Sequence, residues 1–237
     1  TYINCHGLGK KGIVIGYDTR FMAEKFAEEC ARVLAGNGIK VYLLKKISPT
    51  PVTAFAVREK EAGGAIMITA SHNPYNYLGI KFIPEYAGPA LPNVTDAIEK
   101  EVNRVIDDGK IYELNLGEAS KLGLFEELEI EQEYKTHLTK VIKSDFILEK
   151  PLKIVINPMF GAGIGYLDQI LSEWGCEVRT INNYRDVYFG GTLPEPTEEN
   201  LVDLKRMVQV YKADLGLALD GDADRFGIID KNGEFVS

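Results

Sequence analysis

The sequence predicts an α/β protein made of two consecutive α/β domains, each a mostly parallel mixed sheet covered by helices. Three observations carry this. Short apolar runs that read as buried strands alternate with stretches whose apolar residues recur at helical spacing. The alternation starts twice, once near Gly12 and again near Lys153. Between the two series lies a stretch of another character, with Gly109, Gly117 and Gly123 among scattered apolar residues.

In the first series, Gly12–Tyr17 reads as a strand and Asp18-Thr19-Arg20 as the turn that opens a helix. Phe21–Gly36 carries Met22, Phe26, Ala27, Cys30, Val33 and Leu34 at helical spacing, and Asn37-Gly38 is its stop signal. Lys40–Leu44 is a second strand, Thr50 caps a helix that begins at Pro51, and Ala65–Thr69 is a third strand. Asn93–Asp107 and Glu129–Lys143 read as helices. The domains are placed at 1–148 and 149–237, divided near Glu149-Lys150-Pro151, where a charged turn precedes a fresh strand.

In the second series, Lys153–Asn157, Glu177–Ile181 and Leu215–Leu219 are strands. Ile164–Trp174 and Glu198–Tyr211 are helices, and Tyr184–Pro196 is a loop rich in Gly and Pro. Phe226–Asp230 and Glu234–Val236 flank Lys231-Asn232-Gly233, a hairpin turn.

Composition narrows the partners. The 237 residues carry a net charge of −8, which argues against a nucleic-acid partner because that needs a basic face. No apolar run approaches the ~20 residues that span a bilayer, so no membrane partner is expected. Cys5, Cys30 and Cys176 are far apart, lack CxxC spacing and read as reduced thiols of a cytoplasmic protein.

Two loops carry chemistry. Thr69-Ala70-Ser71-His72-Asn73-Pro74 directly follows the third strand, and ligands of open α/β sheets bind outside the carboxyl ends of strands. A serine hydroxyl needs a base or metal to act as a nucleophile. His72 and Lys81, on the Gly79–Ile83 stretch, offer titratable groups. On its own residues the loop reads first as a polar turn in which Ser71 and Asn73 bond only backbone.

The second loop, Asp220-Gly221-Asp222-Ala223-Asp224-Arg225, follows the apolar Leu215–Leu219 run. Alternate carboxylates converge on one side of an extended segment, and their repulsion calls for a cation. Ligands that are all hard oxygens predict Mg²⁺ rather than Zn²⁺. An EF-hand would need Gly at Arg225 and Glu at Lys231. A haloacid-dehalogenase-like nucleophile loop would need Thr or Val at Asp224. Gly161-Ala162-Gly163-Ile164-Gly165 fails as a dinucleotide fingerprint at Tyr166 and reads as tight helix–strand packing.

The two loops in this order resemble the α-D-phosphohexomutase family, which includes phosphoglucomutase and phosphomannomutase. TASHNP at Thr69–Pro74 looks like the family's phosphoserine loop and DGDADR at Asp220–Arg225 like its metal loop. Gly16–Arg20, Pro49-Thr50-Pro51, Gly79-Ile80-Lys81 and Pro194-Glu195-Pro196 fit further motifs. The resemblance implies a Mg²⁺-dependent intramolecular phosphotransferase that interconverts hexose 1-phosphates and 6-phosphates through a hexose 1,6-bisphosphate. It implies that Ser71 is the phosphoryl carrier, with Mg²⁺ held by its phosphate, Asp220, Asp222 and Asp224. Arg20, Asn73, Lys81 and Arg225 would hold phosphate and substrate. Arg20, His72 and Lys81 join Ser71 as catalytic candidates, His72 and Lys81 for proton transfer.

The chain departs from the family at Leu78, where Asn is common, and it lacks the sugar-selecting GExSG-type and phosphate-gripping RxSGT-type loops. The nearest string, Gly117-Glu118-Ala119-Ser120, continues with Lys121. The expectation is therefore an N-terminal two-domain portion, trimmed at both ends, whose partners are a sugar phosphate and the C-terminal domains of the same enzyme. Such a portion should be nearly inactive alone. The TASHNP and DADR forms point to glucose or mannose phosphates. Phosphoglucosamine mutase and a non-catalytic phosphosugar- or metal-binding module are the alternatives.

Overall fold

The computed structural model describes residues 1–142 and 151–236. The expected boundary at 148/149 lies outside the described residues, as does Lys143, the expected end of a helix. Internal contacts divide the chain into two compact units. The first holds Thr1–Tyr17, Met22–Ile68 and Ile80–Ile130; the second holds Asp18–Phe21, Thr69–Gly79 and Glu131–Ser237.

The first unit contains, in chain order, α1 (Tyr2–Cys5), β1 (Ile13–Tyr17), α2 (Ala23–Gly36), β2 (Val41–Leu44), α3 (Thr50–Glu59), β3 (Gly64–Ile68), β4 (Ile80–Pro84), α4 (Pro92–Asp108), α5 (Leu116–Lys121) and β5 (Phe125–Leu128). The strand order is β4-β3-β1-β2-β5. All neighbours are parallel except β4, which runs antiparallel to β3 with Lys81 opposite Met67. From β1 the chain steps to β2 on one side and then back across to β3 on the other. Two right-handed crossovers in opposite directions put α2 and α3 on opposite faces. The carboxyl ends of β1 and β3 flank that reversal, the usual address of a ligand site.

Three details differ from the sequence reading. The buried line of α2 is Ala23, Ala27, Ala31 and Ala35, one residue per turn, while Phe26 and Met22 face solvent. Small side chains let the helix axis approach the sheet, so the contact face holds alanines rather than the bulkiest residues. The cap of α3 is Pro49, and Thr50 is already helical. The stretch around Gly117 and Gly123 holds α5 and an edge strand, β5, whose Phe-Glu-Glu-Leu sequence lacks the apolar run expected of a strand.

The second unit contains α6 (Glu131–Val141), β6 (Lys153–Asn157), α7 (Leu167–Glu173), β7 (Glu177–Thr180), α8 (Val202–Tyr211), β8 (Leu215–Leu219), β9 (Phe226–Asp230) and β10 (Phe235–Val236). The strand order is β10-β9-β8-β6-β7, with β6, β7 and β8 parallel and β9 and β10 antiparallel. Alternation along β6 sorts the core into two layers. Val155 joins Leu204 and Val208 of α8. Ile154 and Ile156 join Ile170 and Leu171 of α7. Two helices begin later than their apolar periodicity suggests: residues 161–166 form turns ahead of α7, and Glu198–Leu201 is a 3-10 turn ahead of α8.

Gly16 shows how tightly the centre of the first sheet is built. A Cβ there would collide with Thr53 Oγ1 of α3 and stand 3.0 Å from Thr53 Cγ2 and 3.1 Å from Met67 Sδ. Thr53 is fully buried and cannot swing aside into solvent. Gly16→Ala should therefore destabilise the protein by about 1–3 kcal/mol through overpacking, read as a lower denaturant midpoint. An unchanged midpoint would contradict this packing.

Candidate active site

The serine loop is held at its base by a reciprocal pair of backbone bonds, Thr69 N to Gly79 O at 3.0 Å and Gly79 N to Thr69 O at 3.1 Å. Within it, Asn73 N reaches Ala70 O and Tyr77 N reaches Pro74 O, both at 3.0 Å. Ser71 has φ of 51°, in the left-handed region that a non-glycine residue rarely adopts. Such a conformation persists only where its surroundings impose it.

Arg20 imposes it. Its side chain is completely buried, and all five guanidinium N–H donors have partners. Nε donates to Asp18 Oδ2 at 3.2 Å. Nη1 donates to the carbonyls of Pro74 and Tyr77 at 2.8 and 3.0 Å. Nη2 donates to those of Ser71 and Asn73 at 2.7 Å each. All five donors are already committed, four to the loop and one to Asp18. In this structure Arg20 is thus the internal scaffold of the serine loop, a use that the sequence reading of it as a phosphate-binding and catalytic residue did not include.

Asp18 completes this scaffold. It accepts from Arg20 N at 3.0 Å and from Thr69 Oγ1 at 2.6 Å, and Thr69 Oγ1 accepts from Ser71 N at 2.8 Å. Burial pushes Asp18 up to about 6, against the lowering effect of its bonds to Thr69 and Arg20. Burial likewise lowers Arg20 from its usual value, and the Asp18 charge opposes that. An isolated buried charge would be costly, so the pair is a structural unit. Neither Asp18 nor Thr69 stood out in the sequence as a site residue. The available signal was an acid two residues before an arginine at the end of a buried strand.

The second loop is built around Asp220. Its Oδ1 accepts from the backbone N–H groups of Asp224 and Arg225 at 2.9 and 3.0 Å. Its Oδ2 accepts from the Ser71 hydroxyl at 3.0 Å. Ala223 adopts φ of 57° at the bend. The loop is braced by Gly221 N donating to Pro194 O at 3.1 Å and by Ala162 N donating to Gly221 O at 2.9 Å. The glycine run at 161–165 therefore supports this loop rather than a nucleotide. A Cβ on Gly221 would run into the Ser71 carbonyl, so this close approach of the two loops requires glycine.

Asp220, Asp222 and Asp224 place carboxylate oxygens within 4.8 Å of one another. Asp220 and Asp222 are fully buried. Asp220 is pushed up to about 7, first by burial and then by the charges of Asp222 and Asp224. Three crowded carboxylates, two of them fully buried and all offering hard oxygen donors, fit a hard divalent cation.

The remaining candidates lie nearby or elsewhere. Arg225 is half exposed, with Nη1 3.8 Å from Glu195 Oε1 and Nε 4.0 Å from Asp224 Oδ1. His72 Nε2 lies 3.9 Å from the same Glu195 oxygen. Glu195, which the sequence marked only as part of a Pro-Glu-Pro string, thus stands between two candidate substrate-facing groups. Asn73 is exposed and gives Arg20 its carbonyl. Lys81 is on β4 of the first unit. The second unit by itself gathers Arg20, Ser71, His72, Asn73, Asp220, Asp222, Asp224 and Arg225.

Comparison with known proteins agrees with this geometry. Residues 1–108 match the family model of phosphoglucomutase/phosphomannomutase α/β/α domain I, and residues 132–233 match that of domain II. A Methanosarcina barkeri protein named "Probable phosphoglucosamine mutase" is 36% identical over 231 residues, covering 98% of this chain and 50% of the relative. A Thermococcus kodakarensis protein named "Phosphoglucomutase/phosphomannomutase" is 33% identical over 236 residues, covering 100% of this chain and 50% of the relative. A solved structure of a Thermus thermophilus protein superposes with a TM-score of 0.86 at 34% identity, covering 99% of this chain and 52% of that one. The chain thus spans about half the length of the curated relatives it matches. It belongs to the phosphoglucomutase/phosphomannomutase family, of which it carries the N-terminal domains I and II.

Proposed function

We propose that the complete protein interconverts hexose 1-phosphates and hexose 6-phosphates, with Ser71 as the phosphoryl carrier and a hexose 1,6-bisphosphate as intermediate. The observation that carries this reading is the 3.0 Å hydrogen bond from the Ser71 hydroxyl to Asp220 at the head of three clustered carboxylates. A nucleophilic oxygen held beside a polyanionic cradle is arranged for phosphoryl chemistry, which depends on positioning and charge compensation.

Asp220, Asp222 and Asp224 would hold Mg²⁺, which when bound supplies positive charge to offset that of the phosphoryl group. The chain's own residues do the rest. Arg20 fixes the serine loop in its left-handed turn, so the hydroxyl points at Asp220. Arg225 offers a surface guanidinium for a substrate phosphate. His72 is a candidate for moving the sugar hydroxyl proton, together with Lys81. Glucose and mannose phosphates are the first reading, from the TASHNP and DADR forms. Glucosamine phosphate is the second, favoured by the name that the Methanosarcina barkeri and Pyrococcus abyssi relatives carry. Because the chain matches only half of those relatives, full turnover is assigned to the complete polypeptide and little activity to this portion alone. A cytoplasmic location is consistent with three free thiols; among the described residues no helix is long and apolar enough to cross a membrane.

Ser71→Ala should abolish phosphoryl incorporation seen by peptide mass spectrometry and lower mutase activity of the complete polypeptide by at least about 10³-fold. Phosphoryl found on another residue, or activity retained, would refute the carrier. The same assay run with glucose, mannose and glucosamine phosphates ranks the sugars. Asp222→Asn should weaken Mg²⁺ affinity by about tenfold or more in calorimetric titration, and unchanged affinity would remove Asp222 from the ligand set.

The pH response follows from the raised carboxyls. Without a cation, the folded protein holds protons on Asp220 up to about 7 and on Asp18 up to about 6, whereas the unfolded chain releases them near 3.8. Across that window the folded state binds more protons, so the contribution of these groups to stability falls as pH rises. Asp220→Asn should therefore gain in Tm relative to wild type between pH 4 and about 7 in chelator, and Mg²⁺ should cancel the wild type's loss. A Tm difference independent of pH would contradict the assignment.

A further inference from the structure

We propose that Arg185 is a positioning residue for the serine loop, acting through Arg20; its catalytic consequence rests on the function proposed above. Arg185 lies on the loop that follows β7, far in sequence from every motif that carries the chemistry. Its Nε donates to Thr19 O at 2.9 Å and its Nη2 to Arg20 O at 3.0 Å. One guanidinium thus grips the backbone of the residue whose own guanidinium grips the serine loop.

The rest of its loop reinforces the grip. Asp186 shapes the turn: Oδ1 accepts from Tyr188 N at 2.9 Å, Oδ2 from Gly190 N at 3.0 Å, and the carbonyl from Phe189 N at 3.0 Å. That turn drives Phe189 into the interior, where it is fully buried with φ of 52°. The Phe189 ring lies against Arg20, with the guanidinium carbon 4.9 Å from its centroid, within cation–π range. Tyr188, beside it, meets Tyr75 of the serine loop edge-on with ring centroids 5.1 Å apart.

Arg20 is therefore fixed on three sides: its backbone by Arg185, its guanidinium face by Phe189, and its donors by Asp18 and the loop carbonyls. The bonds described for Arg185 go to the carbonyls of Thr19 and Arg20. Through them its effect on the hydroxyl runs by way of the placement of Arg20, and displacements of about 1 Å at a reacting atom cost up to about 10²-fold in rate. Arg185 itself is exposed, so replacing it leaves both core layers intact.

The test is Arg185→Gln, read in two ways. On this chain, amide hydrogen exchange should speed up at Asn73, Tyr77 and Gly79, whose N–H groups bond within the serine loop, while β8 amides keep wild-type rates. In the complete polypeptide, kcat should fall about tenfold with KM within about twofold, since both bonds go to backbone carbonyls at Arg20 rather than outward. Unchanged exchange at the loop amides, equal acceleration across β8, or an unchanged kcat overturns the proposal. A wild-type complete polypeptide without mutase turnover would defeat the functional reading instead, and hydrogen exchange would still decide the positioning role.

Discussion

The buried guanidinium of Arg20 organises the chemical end of this molecule. Four of its five donors go to carbonyls of residues 71 to 77, and the fifth goes to Asp18. A lysine could not replace it, because an ammonium has three donors and no planar fork. The arrangement makes the turn after β1 and the turn after β3 a single object, although Arg20 and Ser71 lie 51 residues apart in the chain. A loop carrying several unpaired carbonyls and a left-handed serine would not hold its shape alone. Here the missing donors come from one side chain, whose charge is balanced by one carboxylate.

The carboxylate loop follows the opposite electrostatic plan. Its backbone is satisfied internally, with two N–H groups on Asp220 and bracing bonds from the chain around Gly161 and Pro194. Its charge is left concentrated, and Asp220 is pushed up first by burial and then by the neighbouring charges of Asp222 and Asp224. Positive charge in the serine loop is consumed by structure, while negative charge in the carboxylate loop is kept available. Arg225, at the surface between Asp224 and Glu195, marks where that negative charge meets solvent.

Much of this was legible in the sequence because it is written locally. The strands announce themselves as short apolar runs, and Lys153–Asn157, Leu215–Leu219 and Phe226–Asp230 appear with the expected limits. The pairing of Ser71 with Asp220 followed from two loops at strand ends together with the family resemblance. What escaped depends on context beyond the local window. An edge strand such as β5 needs little apolar character, so Glu126 and Glu127 concealed it. The buried face of α2 is chosen by how closely its axis can approach the sheet, which favours alanine over the phenylalanine that a hydrophobicity pattern selects. The scaffold use of Arg20 escaped because an arginine beside such a loop has two uses, contact with ligand or support of backbone. The backbone use shows only in its fully occupied donors.

The hydrogen bond between Ser71 and Asp220 joins positions 149 residues apart, and that distance also has a meaning in time. At about 5–20 residues per second of synthesis, the serine segment leaves the ribosome on the order of ten seconds before its carboxylate partner exists. Arg185 and Phe189 also emerge later than Arg20. During that interval the first sheet can form, since β1 to β5 are all complete by Leu128. The serine turn cannot reach its final form, because the residues it is grouped with are still to come. The nascent chain therefore carries a scaffold whose serine has no carboxylate partner, and that hydrogen bond forms only once the strand that delivers Asp220 has been made.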